Sequence, residues 1–131
     1  MGDWDAFDVD HPQQKVGHAQ VERILDGCVL RETYESNKGL AGQSLSMYDA
    51  SRKVWHQSSV TNRGQLLVIE GTFNSGEMVL NGADHVAGRG GQVRGTWKRQ
   101  GVDVRETAVE STDGGKTWKP WFDIVSRRHE L

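Results

Sequence analysis

The sequence predicts an all-β protein, and most specifically a closed antiparallel up-and-down barrel of about ten strands. Turn signals recur about every 12 residues, which is the spacing of short strands joined by hairpins. No segment repeats apolar residues every three to four positions over the length of an amphipathic helix, and only Ala19 to Leu25 looks at all helical. The turn signals are His11-Pro12, Asp26-Gly27, Asn37 to Gly39, Asp49 to Arg52, Asn62 to Gly64, Asn74 to Gly76, Gly88 to Gly91, Gln100-Gly101 and Asp113 to Gly115.

The segments between these turns are predicted to be strands because β-branched and aromatic residues are frequent in them. One link, Gly82 to Gly91, is long and weakly patterned, and we expect it to form a loop at one mouth of the barrel. The clearest strand segments are, in chain order, Cys28 to Glu35, Leu45 to Asp49, Val54 to Val60, Leu66 to Phe73, Val102 to Val109 and Trp118 to Val125.

A closed barrel is favoured over a sandwich because of the lengths of the links. Ten short strands need a way to protect their edges, and closure of a meander removes the edges altogether. A Greek-key sandwich would need one or two long crossings between its sheets, whereas the links here are uniformly short.

Length and charge restrict the class of protein. The chain has 131 residues, enough for a single domain over 1–131 with one hydrophobic core. Lys and Arg number 16 against 18 Asp and Glu, so no broad positive field favours nucleic acid or an anionic membrane. The only cysteine, Cys28, cannot form an internal disulfide, and we expect a cytoplasmic protein in which this thiol is buried and inert. A homodimer is left open.

Five short stretches, taken together and in order, resemble a family of small bacterial lipocalin-like barrels of the calycin type, a family of unknown function. The resemblance implies that an arginine at the end of the last strand lies against Trp4, and that Ala108, at a position usually aromatic, enlarges or reshapes the interior. It implies little about activity, because such barrels include transporters, haem binders, cyclases and isomerases. The stretches are Gly2 to Trp4, Glu22 to Cys28, Ser44 to Asp49 with Val54 to Gln57, Ser111 to Lys119, and Arg127-Arg128.

The stretch from Ser111 to Trp118 also matches the Asp-box of sialidase propellers, in which Ser and Asp side chains cap the N–H groups of a hairpin turn. A propeller would repeat the motif once per blade, and this chain has one copy. We therefore expect this stretch to stabilise a hairpin turn, with a role at the surface as the alternative. Asp49 to Trp55 is a looser version of the same device.

Two glutamates are the leading candidates for chemistry. The tripeptide Arg-Glu-Thr occurs twice, and strand parity places Glu32 and Glu106 on the more apolar side of their strands, opposite Arg31 and Arg105. If that side is the interior, desolvation raises the pKa of the carboxyls, which suits proton transfer near neutrality. The alternative is that Arg and Glu pair across exposed strands.

The remaining residues that we expect to bind a ligand have aromatic, thioether or imidazole side chains. Trp97 follows Gly95 on one face, and a glycine there leaves room for a ligand. The five histidines show no metal-ligand spacing in the sequence, so neither a metal nor any other cofactor, haem included, is expected. Together with Glu32 and Glu106, the expected lining residues are Tyr34, Met47, His56 and Trp97.

Three hypotheses of function follow. The first is binding of a small, largely apolar or amphipathic molecule inside the barrel. The second is a cofactor-independent isomerase or cyclase with Glu32 or Glu106 as base and His56 or Tyr34 as partner. The third is a protein-interaction module with a filled core.

Overall fold

The computed structural model describes residues 2–84 and 91–129, which form ten antiparallel β-strands and no helix. No helix in these ranges is long and apolar enough to cross a membrane. The strands are β1 Gly2–Asp8, β2 Lys15–Ile24, β3 Val29–Ser36, β4 Ala41–Asp49, β5 Val54–Thr61, β6 Leu66–Asn74, β7 Glu77–Asp84, β8 Gly91–Gln100, β9 Asp103–Ser111 and β10 Lys119–Arg128.

The strands form one closed barrel in which each strand pairs with its neighbours in the chain and β1 pairs with β10. The predicted up-and-down barrel is thus confirmed, and the sandwich alternative is wrong. The stretch that looked helical is mostly part of β2. Of the predicted loop Gly82 to Gly91, the two ends belong to β7 and β8, and residues 85–90 lie outside the described residues.

The seam between β1 and β10 joins the two ends of the chain. Trp4 lies directly opposite Arg128, whose guanidinium carbon is 4.7 Å from the centre of the indole ring. The backbone N–H of His129 donates to the carbonyl of Asp3 at 3.0 Å. The expected contact between an arginine and Trp4 is therefore present at the seam.

Buried apolar side chains define the inner face of the wall. Ile69, Leu80, Val93 and Ala108 are each at most 4% exposed. Because side chains alternate along a strand, the register of the ladders extends this assignment around the barrel. Any residue directly opposite an inner residue on a neighbouring strand also faces inward.

The turn at Asp113 is fixed by side-chain caps, as the sequence predicts. The Asp113 Oδ1 accepts the backbone N–H groups of Lys116 and Thr117 at 3.0 and 2.9 Å, and the Ser111 Oγ accepts that of Gly115 at 3.0 Å. These bonds hold a turn that contains positive φ angles of 75° and 90° at Gly114 and Gly115.

The turn at Asp49 has similar caps, with its Oδ1 accepting the N–H groups of Ser51 and Arg52.

The expectation that the thiol of Cys28 is buried is wrong, because Cys28 is exposed. It lies in the turn between β2 and β3 rather than inside a strand. Its position before the strand removes it from the buried face on which parity had placed it.

Candidate functional site

Glu32 and Glu106 both lie on the inner face of the barrel. Glu106 is opposite Trp97 and shares its face with buried Ala108. Glu32 shares its face with Tyr34, which is opposite buried Ala19. The two Arg-Glu-Thr strands, β3 and β9, therefore send one carboxyl each into the interior.

The arginines of both tripeptides lie on the outer face. The Nε of Arg31 donates to Glu22 of β2 at 2.9 Å. Arg105 donates from Nε and Nη2 to the two oxygens of Asp123 at 3.0 and 2.5 Å. The prediction that Arg and Glu of each tripeptide lie on opposite faces is therefore confirmed. Neither glutamate is neutralised by the arginine that precedes it in the sequence.

Burial and proximity change the titration of these carboxyls. Burial, reinforced by the negative charge of Glu32, raises the pKa of Glu106 to about 8, although a hydrogen bond from Trp97 acts in the opposite direction. Burial also raises the pKa of Glu32. The pKa of Tyr34 is raised by burial and then by the charges of Glu106 and Glu32. The three groups therefore form one electrostatically coupled cluster inside the barrel.

Two glycines provide space for the aromatic members of this cluster. A Cβ added to Gly95 would lie 2.8 and 2.9 Å from two ring carbons of Trp97. A Cβ added to Gly17 would lie 2.7 Å from the ring carbon of Tyr34 that carries the hydroxyl. Trp97 itself thus occupies the room at Gly95 that the sequence suggested for a ligand, and this contact fixes the ring beside Glu106.

The residues of this cluster are not completely shielded from solvent. Glu32, Tyr34, Trp97 and Glu106 are only half-buried, although all four face inward. Each of the four residues therefore keeps some contact with solvent, although burial is the main influence on both carboxyls.

The inner face of β4 and β5 is polar in its middle, beyond the paired rings of Tyr48 and Trp55 at one end. Ser44 is opposite Glu32 on one side and Ser59 on the other, and Ser46 is opposite Gln57. The Gln57 amide donates to the Ser46 hydroxyl at 3.2 Å. The sequence analysis missed this wall because small polar residues were given no lining role. The signal that could have found it is the alternation Ser44-x-Ser46 in one strand and Gln57-x-Ser59 in the next.

No known protein family and no curated protein matches this chain. The likeness to lipocalin-like barrels remains a prediction. The geometry of the site therefore carries the functional inference.

His56 and Met47 do not line the interior, and the prediction that they do is wrong. The two residues lie opposite each other on the outer face of β5 and β4. Parity was misread because the outer face of β5 carries Val54 and Val60, while its inner face carries the polar residues Gln57 and Ser59. Trp55 also lies on the inner face, so apolar residues occur on both faces of β5 and do not distinguish its inside from its outside.

His56 belongs to a hydrogen-bonded chain on the outer wall. Its Nε2 is 2.6 Å from the Ser58 Oγ, and its Nδ1 is 2.7 Å from a Glu70 oxygen. Arg52 and then His56 lower the pKa of Glu70 to about 2. The order resembles a nucleophile, base and acid, but β5 is paired on both sides, so its N–H groups are used in the sheet and cannot stabilise an oxyanion. We interpret these hydrogen bonds as a structural network that stabilises the outer face of the barrel.

Proposed function

We propose that this chain is a lipocalin-like binding protein whose interior takes a small amphipathic molecule with a cationic group, such as a protonated amine. The observation that carries the proposal is the pair of coupled carboxyls, Glu32 and Glu106, on the inner face of a closed barrel. Carboxyls in a low-dielectric interior are costly unless they are protonated or paired with positive charge.

A cation is the ligand group that best fits the electrostatics of this cluster. It would relieve both the repulsion between the two carboxyls and the desolvation that raises the pKa of Glu106. The rings of Trp97 and Tyr34, seated on Gly95 and Gly17, offer π faces beside the carboxyls, and aromatic faces attract cations.

The rest of the interior suits an amphipathic body. Ile69, Leu80 and Val93 give the wall of β6 to β8 an apolar inner surface. The wall of β4 and β5 offers hydroxyls and an amide instead. A ligand with an apolar part, one cationic end and a few hydrogen-bonding groups would use all three kinds of surface.

Two matched fluorescent probes test the sign of the ligand charge. One is a dansyl-labelled alkylamine with a free amino group, and the other is a dansyl-labelled alkanoate of similar length. We expect the amine to bind with a blue shift and the alkanoate to bind at least tenfold more weakly. Amine affinity should increase between pH 6 and pH 9, because Glu106 must release its proton at a pKa of about 8. Equal affinities, or tighter binding of the alkanoate, would contradict the proposal.

Substitutions of the two inner glutamates test whether the amine binds beside them. Glu32→Gln and Glu106→Gln should each weaken amine binding about tenfold or more, because one desolvated charge contact is removed. Glu35→Gln, on the exposed outer face of the same strand as Glu32, is the matched control and should bind like the unaltered protein. Native mass spectrometry of freshly purified protein should show a retained small molecule.

The second candidate function is proton transfer, favoured by the pKa of Glu106. At about 8, this carboxyl is protonated near neutrality and can act as an acid, while Glu32 is the nearby carboxylate and Tyr34 a hydrogen-bond donor. An isomerase or cyclase of this kind would use Tyr34 as partner, because His56 lies outside the barrel.

Deuterium exchange separates carriage from catalysis. A retained ligand is incubated with the protein in D2O and its C–H signals are followed by NMR. A proton-transfer enzyme would exchange an acidic C–H of the ligand, and Glu106→Gln would slow that exchange at least a hundredfold. A ligand that stays bound without exchange supports carriage alone.

A further inference from the structure

Three residues that are distant in the sequence meet on the outer wall at the seam. Asp5 lies on β1, His18 lies opposite it on β2, and His129 follows the end of β10. One nitrogen of each imidazole and one oxygen of the carboxyl all lie within 4.8 Å of one another. The spacing of the histidines in the sequence could not show this cluster, because closure of the barrel creates it.

The carboxyl of Asp5 is shared between the two rings. Its Oδ1 is 3.0 Å from the His18 Nδ1, and its Oδ2 is 2.8 Å from the His129 Nδ1. The rings meet edge to face with centroids 5.3 Å apart. Both Nδ1 atoms therefore point toward the same carboxylate.

These separations are close to those of a metal site. In a tetrahedral zinc site with bonds of about 2.0 to 2.1 Å, donor atoms lie about 3.3 Å apart. Small movements of the rings would bring the three donors around one ion. Two imidazole nitrogens and one carboxylate oxygen form a common zinc ligand set, which leaves a fourth position for water.

The Asp5 carboxyl is surrounded by nitrogen atoms of three side chains. Burial raises its pKa, but hydrogen bonds from His18, Lys15 and His129 outweigh that effect and hold the pKa well below the usual range. A second carboxylate, Asp3, lies 3.5 Å from the His18 Nε2 and adds negative charge beside the cluster.

We propose that Asp5, His18 and His129 form a binding site for a divalent transition-metal ion, with Zn²⁺ as the best-suited ion. The ion binds the Nδ1 of each ring, and each neutral ring then carries its hydrogen on Nε2. Because the ligands come from β1, β2 and the end of β10, the ion joins both ends of the chain across the seam.

Lys15 is the competitor at this site. Its Nζ is 2.9 Å from the Asp5 Oδ1, and its side chain is 42% exposed, so it can move into solvent when a metal ion binds. Arg127, directly opposite Asp5 on β10, is held over the Phe7 ring at 4.5 Å. The metal ion therefore displaces one ammonium group and leaves the guanidinium in place.

The test is calorimetric titration of the full chain with ZnCl2, after treatment with chelator, at pH 7.5. We expect one ion per chain and a Tm several degrees higher in the presence of zinc. His129→Ala, at an exposed chain end, should weaken binding at least tenfold without loss of fold, and His18→Asn should do the same. Lys15→Met should tighten binding several-fold.

Two controls make the result decisive. His11→Ala and His56→Ala remove other surface imidazoles and should leave zinc affinity unchanged. The ¹⁵N signals of His18 and His129 should report metal on Nδ1. Failure to bind zinc below about 100 µM, binding insensitive to His129→Ala and His18→Asn, or a Kd for Lys15→Met no lower than that of the unaltered protein would overturn the proposal. Each of these outcomes is independent of the amine-binding result.

Discussion

The carboxyl of Glu106 keeps its proton in the folded state to a much higher pH than in the unfolded chain. Its pKa rises from 4.5 to about 8 because the carboxylate form would be desolvated and repelled by Glu32. Between these values the folded state binds more protons than the unfolded state, so the free energy of unfolding decreases as the pH rises. The stabilising effect is complete below about pH 4.5 and is lost as the pH passes through about 8.

We predict that Glu106→Gln removes most of this pH dependence. The unaltered protein should lose about 2 to 4 kcal/mol of stability from this group between pH 5 and pH 9, since one pKa unit corresponds to about 1.4 kcal/mol. Urea unfolding at pH 5, 7 and 9 measures the effect. Glu35→Gln, on the outer face, should keep the slope of the unaltered protein. An unchanged slope in Glu106→Gln would show that the group is solvated in the fold.

Asp113 is a residue whose role the sequence predicts and whose contacts support it. Thr117 lowers the pKa of its carboxyl to about 2, through hydrogen bonds from both its hydroxyl and its N–H. Asp113→Ala should lower the Tm by about 5 °C, the effect expected for loss of a side-chain cap in a small domain. Amine binding should be unaffected, because the turn lies between β9 and β10 and outside the interior. Lost binding with unchanged Tm would contradict this assignment.

At the scale of the strand, parity predicts the face of a residue only where the inner face is apolar. In β9 the apolar neighbours Val104 and Ala108 correctly indicate that Glu106 faces inward. In β5 the apolar neighbours of His56, Val54 and Val60, lie on the outer face, so they do not indicate the inside of the barrel. The polar inner side chains become recognisable only when the alternations of β4 and β5 are compared with each other.

Contacts between residues of different strands were the second feature that could not be predicted from the sequence. Closure of the barrel could be predicted from turn spacing, whereas the meeting of His129 with Asp5 depends on the register of the seam. Register follows from the packing of all ten strands and not from any local pattern. The seating of Trp97 on Gly95 is an intermediate case, because both residues and their shared face were visible in the sequence.

The pair Gly95 and Trp97 gives a prediction for β8. Gly95→Ala puts a methyl group less than 3 Å from the indole, so the ring must leave its place beside Glu106. We expect a loss of about 1 to 3 kcal/mol, the usual cost of overpacking. The double variant Gly95→Ala, Trp97→Leu should lose less stability than the sum of the two single changes, because the leucine leaves room for the methyl group. Strict additivity in urea unfolding would show that the ring does not need the glycine.

At the scale of the whole barrel, Asp3 on the first strand and His129 after the last strand are adjacent. The hydrogen bond from the His129 N–H to the Asp3 carbonyl shows that a short linker can join this part of the chain to the other. A circular permutant opened between Ser75 and Gly76, in the hairpin turn between β6 and β7, should keep the fold, because every strand stays intact. A permutant opened at Thr107, inside β9, should fail to fold. Circular dichroism and amide NMR spectra measure both outcomes.

Pairing of the first strand with the last also orders events during synthesis. Trp4 meets Arg128 only after β10 has been made, about 6 to 25 s later at ordinary rates of translation. During that interval the free side of β1 is an unprotected edge, and Glu32 and Glu106 are in contact with bulk water and ionised. When the last strand docks, the interior is closed off and one carboxyl takes up a proton. Closure of the barrel is therefore also the moment at which its interior changes charge.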